Sequence, residues 1–343
     1  TFDNQMEDLK SKEQSSVNVV KETDSPEIQL NKIIENEKIG IELQDIPAME
    51  EEKQSQLENK YKKVSQTFEF KFKTLNLSKY AVDTNEFQKD DTKKTITTGY
   101  CKTNYMIQKN NNTSCLCLFH EKNEYTSNLI NVIKIYALNN HPAIASFIGY
   151  YTNGKRRFIY IKNPGYGFLG EYLDGKNPNL YLNPTEKLII SYGIACAMEF
   201  LHNRKIVHRD LRPVNILLDS QLYPQIFNFV TAINIDDDLV ENEDKNDYST
   251  ESDGKNMYYL APEFLNDMEN SINFPIDVFS YAATLYEINL GSNAINIPNK
   301  NKFKEMNKLM NGERPEFPDS FSSSWRNLIE RCWDQDPNKR PTF

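Results

Sequence analysis

The stretch that most constrains this chain is His208-Arg-Asp-Leu-Arg-Pro-Val-Asn-Ile-Leu-Leu-Asp219. It places His208, Arg209, Asp210, Arg212 and Asn215 within eight residues, and the apolar run Ile216-Leu-Leu follows at once. That run reads as a strand, so the polar residues ahead of it form a loop that the core holds in place. Further pieces follow in order: Ala261-Pro262-Glu263, then Ile276-Asp277-Val278-Phe279-Ser280 heading an apolar helix, then the closing Arg331-Cys-Trp-Asp-Gln-Asp-Pro-Asn-Lys-Arg-Pro-Thr-Phe343.

Upstream of that loop the pattern is strand-like. Tyr100–Gln108 and Ser114–Phe119 flank the polar Lys109-Asn-Asn-Asn-Thr113, which predicts a hairpin. Cys115 and Cys117 alternate along its second strand as packing residues. Residues 124–139 set Leu129, Val132, Ile133 and Tyr136 on one helical face. Two further strands are expected around Phe147–Tyr151 and Phe158–Ile161. Asn183-Pro184-Thr185-Glu186 is a helix start, with an Asn cap, Pro at the first helical position and Glu at the third. The helix behind it, Lys187 to His202, is expected to turn Leu188, Ile189, Tyr192, Cys196 and Phe200 inward. Strands with one helix, then mostly helices, predict an α+β molecule in two lobes.

Residues 1–73 differ in kind, being acidic and polar, with Gly40 and Pro47 interrupting any long helix. They are expected to form a partly helical or disordered extension, with a partner-binding helix around Ile28–Ile39 as the sharper alternative. The net charge of −9 is concentrated: residues 1–60 hold 15 acidic against 7 basic side chains, and residues 236–253 hold nine acids and one Lys. This balance argues against nucleic acid as a partner. No apolar run is long enough to span a membrane. The five cysteines (Cys101, Cys115, Cys117, Cys196, Cys332) show no metal-ligand spacing, which favours reduced thiols and a cytoplasmic setting. The chain starts at Thr1 without a Met or a signal peptide, so it is expected to be a piece of a longer product.

The segment at 208–219 closely resembles the catalytic loop of eukaryotic protein kinases, H-R-D-x-x-x-x-N. The pieces around it arrive in kinase order. Ala261-Pro262-Glu263 resembles the end of an activation segment, and Asn140-His141-Pro142 the turn out of the small-lobe helix. The closing motif resembles that of tyrosine-kinase-like (TKL) Ser/Thr kinases. The resemblance implies a bilobal protein-kinase-like fold over 74–343. Its small β-rich N-lobe with one helix would span about 74–161, and its large helical C-lobe about 166–343. Kinase domains ordinarily add another turn or two of helix, so the chain is expected to stop slightly early.

By this resemblance Asp210 would orient the acceptor hydroxyl, Asn215 would bind one magnesium, and Arg212 would take the place of a phosphate-contacting Lys. His208 and Asp277 would brace the loop, Arg209 would receive a phosphate from the activation segment, and Glu263 would pair with Arg340. The ATP-facing residues depart from the family pattern. The expected Gly-rich loop position reads Phe87-Gln-Lys-Asp-Asp-Thr-Lys-Lys-Thr95 without a glycine, and Gly99 is the one glycine between residues 41 and 148. Leu118, or its neighbour Phe119, stands at the phosphate-pairing Lys, and Asn131 or Val132 at its Glu partner. A lysine from another strand, Lys102, is the candidate to replace it. Lys162 and Asn163, at the joint between the lobes, complete the degenerate nucleotide-facing set. The D-F-G motif reads Asn228-Phe229-Val230, which removes the carboxylate that anchors magnesium.

The implied cofactors, ATP and Mg2+, are therefore expected to bind weakly or not at all. Three functions stay open. The first is a pseudokinase acting as an interaction or allosteric module on another protein (a kinase, substrate or scaffold). The second is a weak or atypical Ser/Thr kinase, and the third a nucleotide-binding switch without turnover. In the acidic activation segment, Asp236-Asp-Asp238 is either a solvated loop or a phosphate mimic docked on Arg209.

Overall fold

The computed structural model describes residues 75–98, 101–110, 112–120, 128–152, 157–174, 181–236, 258–267, 271–291 and 302–343, all within one compact unit, Lys63–Phe343. The acidic extension and most of the acidic activation segment lie outside them. The small lobe holds strands β1 (Phe87–Lys89), β2 (Ile96–Thr98), β3 (Cys101–Gln108), β4 (Thr113–His120), β5 (Phe147–Thr152) and β6 (Arg157–Lys162), with helix α1 (Asn128–Leu138). The sheet is antiparallel in the order β1-β3-β4-β6-β5, and β2 also pairs with β3.

Strand alternation gives this sheet two distinct faces. Thr103 lies opposite Leu118 and Tyr105 opposite Leu116, while Ile159 and Ile161 flank the same two leucines from β6. These residues belong to, or pack on, the main core, apart from Thr103, which is itself fully buried. The intervening residues Cys115, Cys117 and Tyr160 form a second cluster with Phe87, whose ring stacks on Tyr160 at 4.1 Å. The two cysteines are packing residues, as their alternation predicts.

The large lobe carries the short strands β7 (Gly165–Phe168), β8 (Ile206–Val207), β9 (Ile216–Asp219), β10 (Pro224–Ile226) and β11 (Ile233–Asn234). Its helices are α2 (Leu169–Leu173), α3 (Pro184–His202), α4 (Pro262–Asn266), α5 (Pro275–Leu290), α6 (Lys302–Met310) and α7 (Ser323–Cys332). The α3 start forms as the sequence predicts. Asn183 Oδ1 accepts from Glu186 N at 3.0 Å and Glu186 Oε2 from Asn183 N at 2.8 Å, behind Pro184. Its buried stripe, however, is Ile190, Ile194, Ala197, Met198 and Leu201, while Leu188, Ile189, Tyr192, Cys196 and Phe200 are only half-buried. The helix is apolar over most of its circumference, so periodicity alone offers two stripes and tertiary packing selects one.

Helix α5 is the axis of this lobe, buried from Ile276 through Ile288. Each large side chain there contributes about 1.5–3 kcal/mol of burial. Gly291 ends the helix in the left-handed conformation (φ 71°), its N–H returning to Glu287 O. The small sheet with its helix and the helical large lobe together form the α+β bilobal architecture that the element order implies.

Candidate active site

Asp277, near the start of α5, is fully buried and organises the 208–215 loop. Its carboxylate accepts from His208 N and Arg209 N, each at 2.8 Å, and lies 2.9 Å from His202 Nε2. A buried charge is tolerable only with such partners. His208 donates through Nε2 to Phe227 O (3.1 Å) and accepts at Nδ1 from Asp210 N (3.2 Å), a pattern that fits the neutral ring. Burial holds its pKa below the ordinary imidazole value, outweighing the attraction of Asp277 and Asp210. Arg209 has a left-handed backbone (φ 64°), pinned by Asp277, and its Nε donates to Thr231 O. At the far end of the lobe, Arg340 Nη1 and Nη2 donate to the two oxygens of Glu263 at 2.6 and 2.8 Å.

The loop brings Asp210, Arg212 and Asn215 together. Arg212 Nε lies 2.7 Å from Asp210 Oδ1, and its Nη2 donates to Oδ2 at 3.3 Å. Asn215 Nδ2 donates to Asp210 Oδ2 and to Asp210 O, both at 2.7 Å. That fixes the orientation of the Asn215 amide, so Asn215 Oδ1 faces Asn228 and accepts from its Nδ2 at 3.0 Å. Asn228 sits in the left-handed region (φ 66°), which Asn tolerates better than most residues. Its N–H donates to Tyr136 Oη at 3.0 Å, and its buried Oδ1 has no hydrogen-bond partner among the described residues.

The implied magnesium can be tested on this donor set. A hard divalent cation favours carboxylate oxygens. Here Asn215 and Asn228 offer neutral amides, and an amide N–H already occupies Asn215 Oδ1. Without a carboxylate at position 228, the donor set suits the ion poorly.

The nucleotide side reads similarly. Leu118 (2% exposed) and Val132 (3%) belong to one apolar cluster. Asn131, the alternative for the helix position, instead donates to Ala232 O at 2.7 Å. Val132 shares its helix face with Tyr136, four residues on. Lys102 is opposite Phe119 in the register that alternates with Thr103–Leu118, so it stands on the sheet face away from Leu118. That placement removes it as a substitute lysine. Lys162, opposite Cys115, is exposed on the same outer face. The buried Lys134 is two residues beyond Val132, about 200° around the helix.

At the joint between the lobes, backbone donors are already engaged. Lys162 N donates to Ser146 O (2.8 Å), Asn163 N to Ser114 O (3.3 Å) and Gly165 N to Asn163 Oδ1 (3.1 Å). Pro164 has no N–H, and the Asn163 amide also reaches Ser114 Oγ at 2.9 Å. Below them the Tyr105 and Phe168 rings meet edge-on at 6.5 Å across the inner face. Burial, reinforced by Glu171, pushes the Tyr105 hydroxyl up to about 12.

The Gly-rich loop expected at Phe87–Thr95 is corrected by the sheet. Phe87–Lys89 is β1, with Asp90 turning the chain into β2. β3 pairs with both strands, and its last pair with β2 is Thr98–Cys101. The expected loop position is therefore occupied by strand β1 and the turn that follows it. The sequence alone does not show the register of the eight-residue β3, which depends on strand pairing. The docking of Asp236–Asp238 on Arg209 falls mostly outside the described residues, and Asp236 itself is exposed.

The sequence reading also missed the Tyr136 hydroxyl on Asn228 and the role of Asn163 in closing the joint. Tyr136 was legible only as part of an apolar helix face, because its polar contact joins positions 92 apart.

Comparison with known proteins agrees with the geometry. The family of protein tyrosine and serine/threonine kinases matches residues 95–343. The chain belongs to the protein kinase family. It is 29% identical to the RGS domain-containing serine/threonine-protein kinase A of Dictyostelium discoideum over 66% of this chain and 18% of that protein. It is 29% identical to Integrin-linked protein kinase 1 of Arabidopsis thaliana over 71% and 52%. It is 26% identical to human Receptor-interacting serine/threonine-protein kinase 1 over 64% and 33%. The chain thus spans at most about half the length of these relatives. Among the described residues no helix is long and apolar enough to cross a membrane, and no cluster of His, Cys, Asp or Glu could hold a metal ion.

Proposed function

We propose that residues 74–343 form a tyrosine-kinase-like pseudokinase domain, a cytoplasmic interaction or allosteric module that acts on another protein. The observation that carries this reading is that Leu118 and Val132, both buried in the main apolar core, stand where phosphoryl transfer needs a lysine and its carboxylate. Replacing a buried ion pair by packed apolar residues is neutral or stabilising for a fold. A domain that uses its shape and not its chemistry loses nothing by the exchange. The neutral Asn215–Asn228 pair and the engaged joint between the lobes support the same reading from two other elements.

A weak Ser/Thr kinase is the second reading, favoured by the retained cluster of Asp210, Arg212 and Asn215. A phosphotransfer assay of the wild type beside Asp210→Ala separates the two. The pseudokinase reading expects equal background signal from both. Transfer that Asp210→Ala abolishes would establish the second.

A further inference from the structure

Where the chain leaves the small lobe, β7 approaches β9 irregularly. Phe168 lies opposite Leu217, and the ladder slips between Gly165 and Gly167. These two glycines hold φ values of 109° and 112°, a backbone that residues with a side chain rarely adopt. A Cβ on Gly167 would also stand 3.1 Å from Glu171 Oε2, the atom that accepts from Phe168 N at 3.3 Å. This approach delivers the Phe168 side chain into the joint between the lobes, where it is only 2% exposed.

The Phe168 ring touches both lobes. On the small-lobe side it meets the half-buried Tyr105, which lies opposite Leu116 on the inner face of the sheet. On the large-lobe side it meets Phe227 at 5.6 Å with the planes 63° apart. Phe227 is fully buried, and its N–H donates to Asn215 O at 3.1 Å, so the ring rests on the segment that carries the candidate site. Leu217, also fully buried, completes the floor. The backbone donors beside the ring, from Lys162, Asn163 and Gly165, are engaged within the chain, and Pro164 has none to offer.

We propose that Phe168 is a built-in occupant of the joint: its ring takes the space between the small-lobe sheet and Phe227 that a flat ligand would fill. The joint is closed to ligands while the ring is present. Removing the ring opens it to a flat, mainly apolar ring compound, because the engaged donors leave little for a polar edge. On the pseudokinase reading, on which this rests, the side chain joins the two lobes without any nucleotide.

Thermal scans of the full chain with indole, a flat apolar probe, test the occupant. The wild type is expected to show no rise in melting temperature at millimolar indole. Phe168→Ala leaves a void that its surroundings close only in part, and dry apolar voids accept small aromatic molecules. Its melting temperature is expected to fall, and to recover saturably with indole. Hydrogen–deuterium exchange at residues 104–106 and 165–173 is expected to slow over the same range. If the variant is unfolded alone, indole is expected to restore folded protein. Phe168→Leu, with a smaller void, is expected to recover less, and adenosine to act more weakly than indole on both variants. A folded Phe168→Ala that ignores indole, an unfolded one that indole does not rescue, or a wild type that responds equally would each overturn the proposal. So would a stronger response to adenosine than to indole. Phosphotransfer by the wild type would instead sink the pseudokinase reading, a result that the indole series does not depend on.

Discussion

At the scale of single residues, Leu118 and Val132 are both buried in the main apolar core. A lone lysine or glutamate placed there would be buried without a partner, at a cost of about 3–5 kcal/mol. Leu118→Lys and Val132→Glu are each expected to destabilise the domain by that order in denaturant unfolding. The double variant is expected to recover part of the loss through the restored pair. Strict additivity would mean that the two positions do not face each other. Asn228→Asp makes a related prediction. It replaces the donor to Asn215 Oδ1 with a second acceptor, costing about 1–3 kcal/mol. Magnesium is expected to restore part of that stability in a thermal scan, and no response to the ion would contradict the account of the site. The individual replacements were legible in the sequence because motif spacing names the position. Whether Asn131 or Val132 occupies the helix position was not, because it depends on which residue faces the sheet.

At the scale of elements, alternation along strands decided more than residue type. Lys102 has the right chemistry to replace the missing lysine and stands on the wrong face, a fact set by pairing with β4 and invisible without register. Helix α3 shows the opposite ambiguity, too much apolar surface for periodicity to select a side. The turn after α1 carries a pH dependence. His141 accepts at Nδ1 from Ala143 N (3.2 Å) and packs its ring on Phe200. Burial, with Arg204 adding to it, pulls its pKa down to about 4 from 6.5. The unfolded chain then binds the extra proton between those values. The contribution of His141 to stability is therefore complete above about pH 6.5 and lost as pH falls toward 4. His141→Asn keeps an acceptor for Ala143 N and cannot titrate, so its unfolding free energy is expected to fall less steeply over this window. An unchanged slope would place the acid sensitivity elsewhere.

At the scale of the whole molecule, retention and loss fall on different parts. Asp277, His208, Glu263 and Arg340 hold the large lobe together through buried hydrogen bonds and an ion pair, work that any folded kinase domain needs. These were legible because their motifs are ordered along the chain. The Tyr136 contact to Asn228 and the reach of Asn163 to Ser114 were not, since each unites segments that only the tertiary fold brings together. We propose that the domain keeps its kinase shape and has lost the means to hold ATP and magnesium. A thermal-shift titration of the full chain with ATP, with and without Mg2+, tests it most directly. The melting temperature is expected to stay unmoved at millimolar nucleotide in both series. A saturable, magnesium-dependent rise, equivalent to about 2.7 kcal/mol at one hundred times the dissociation constant, would contradict it.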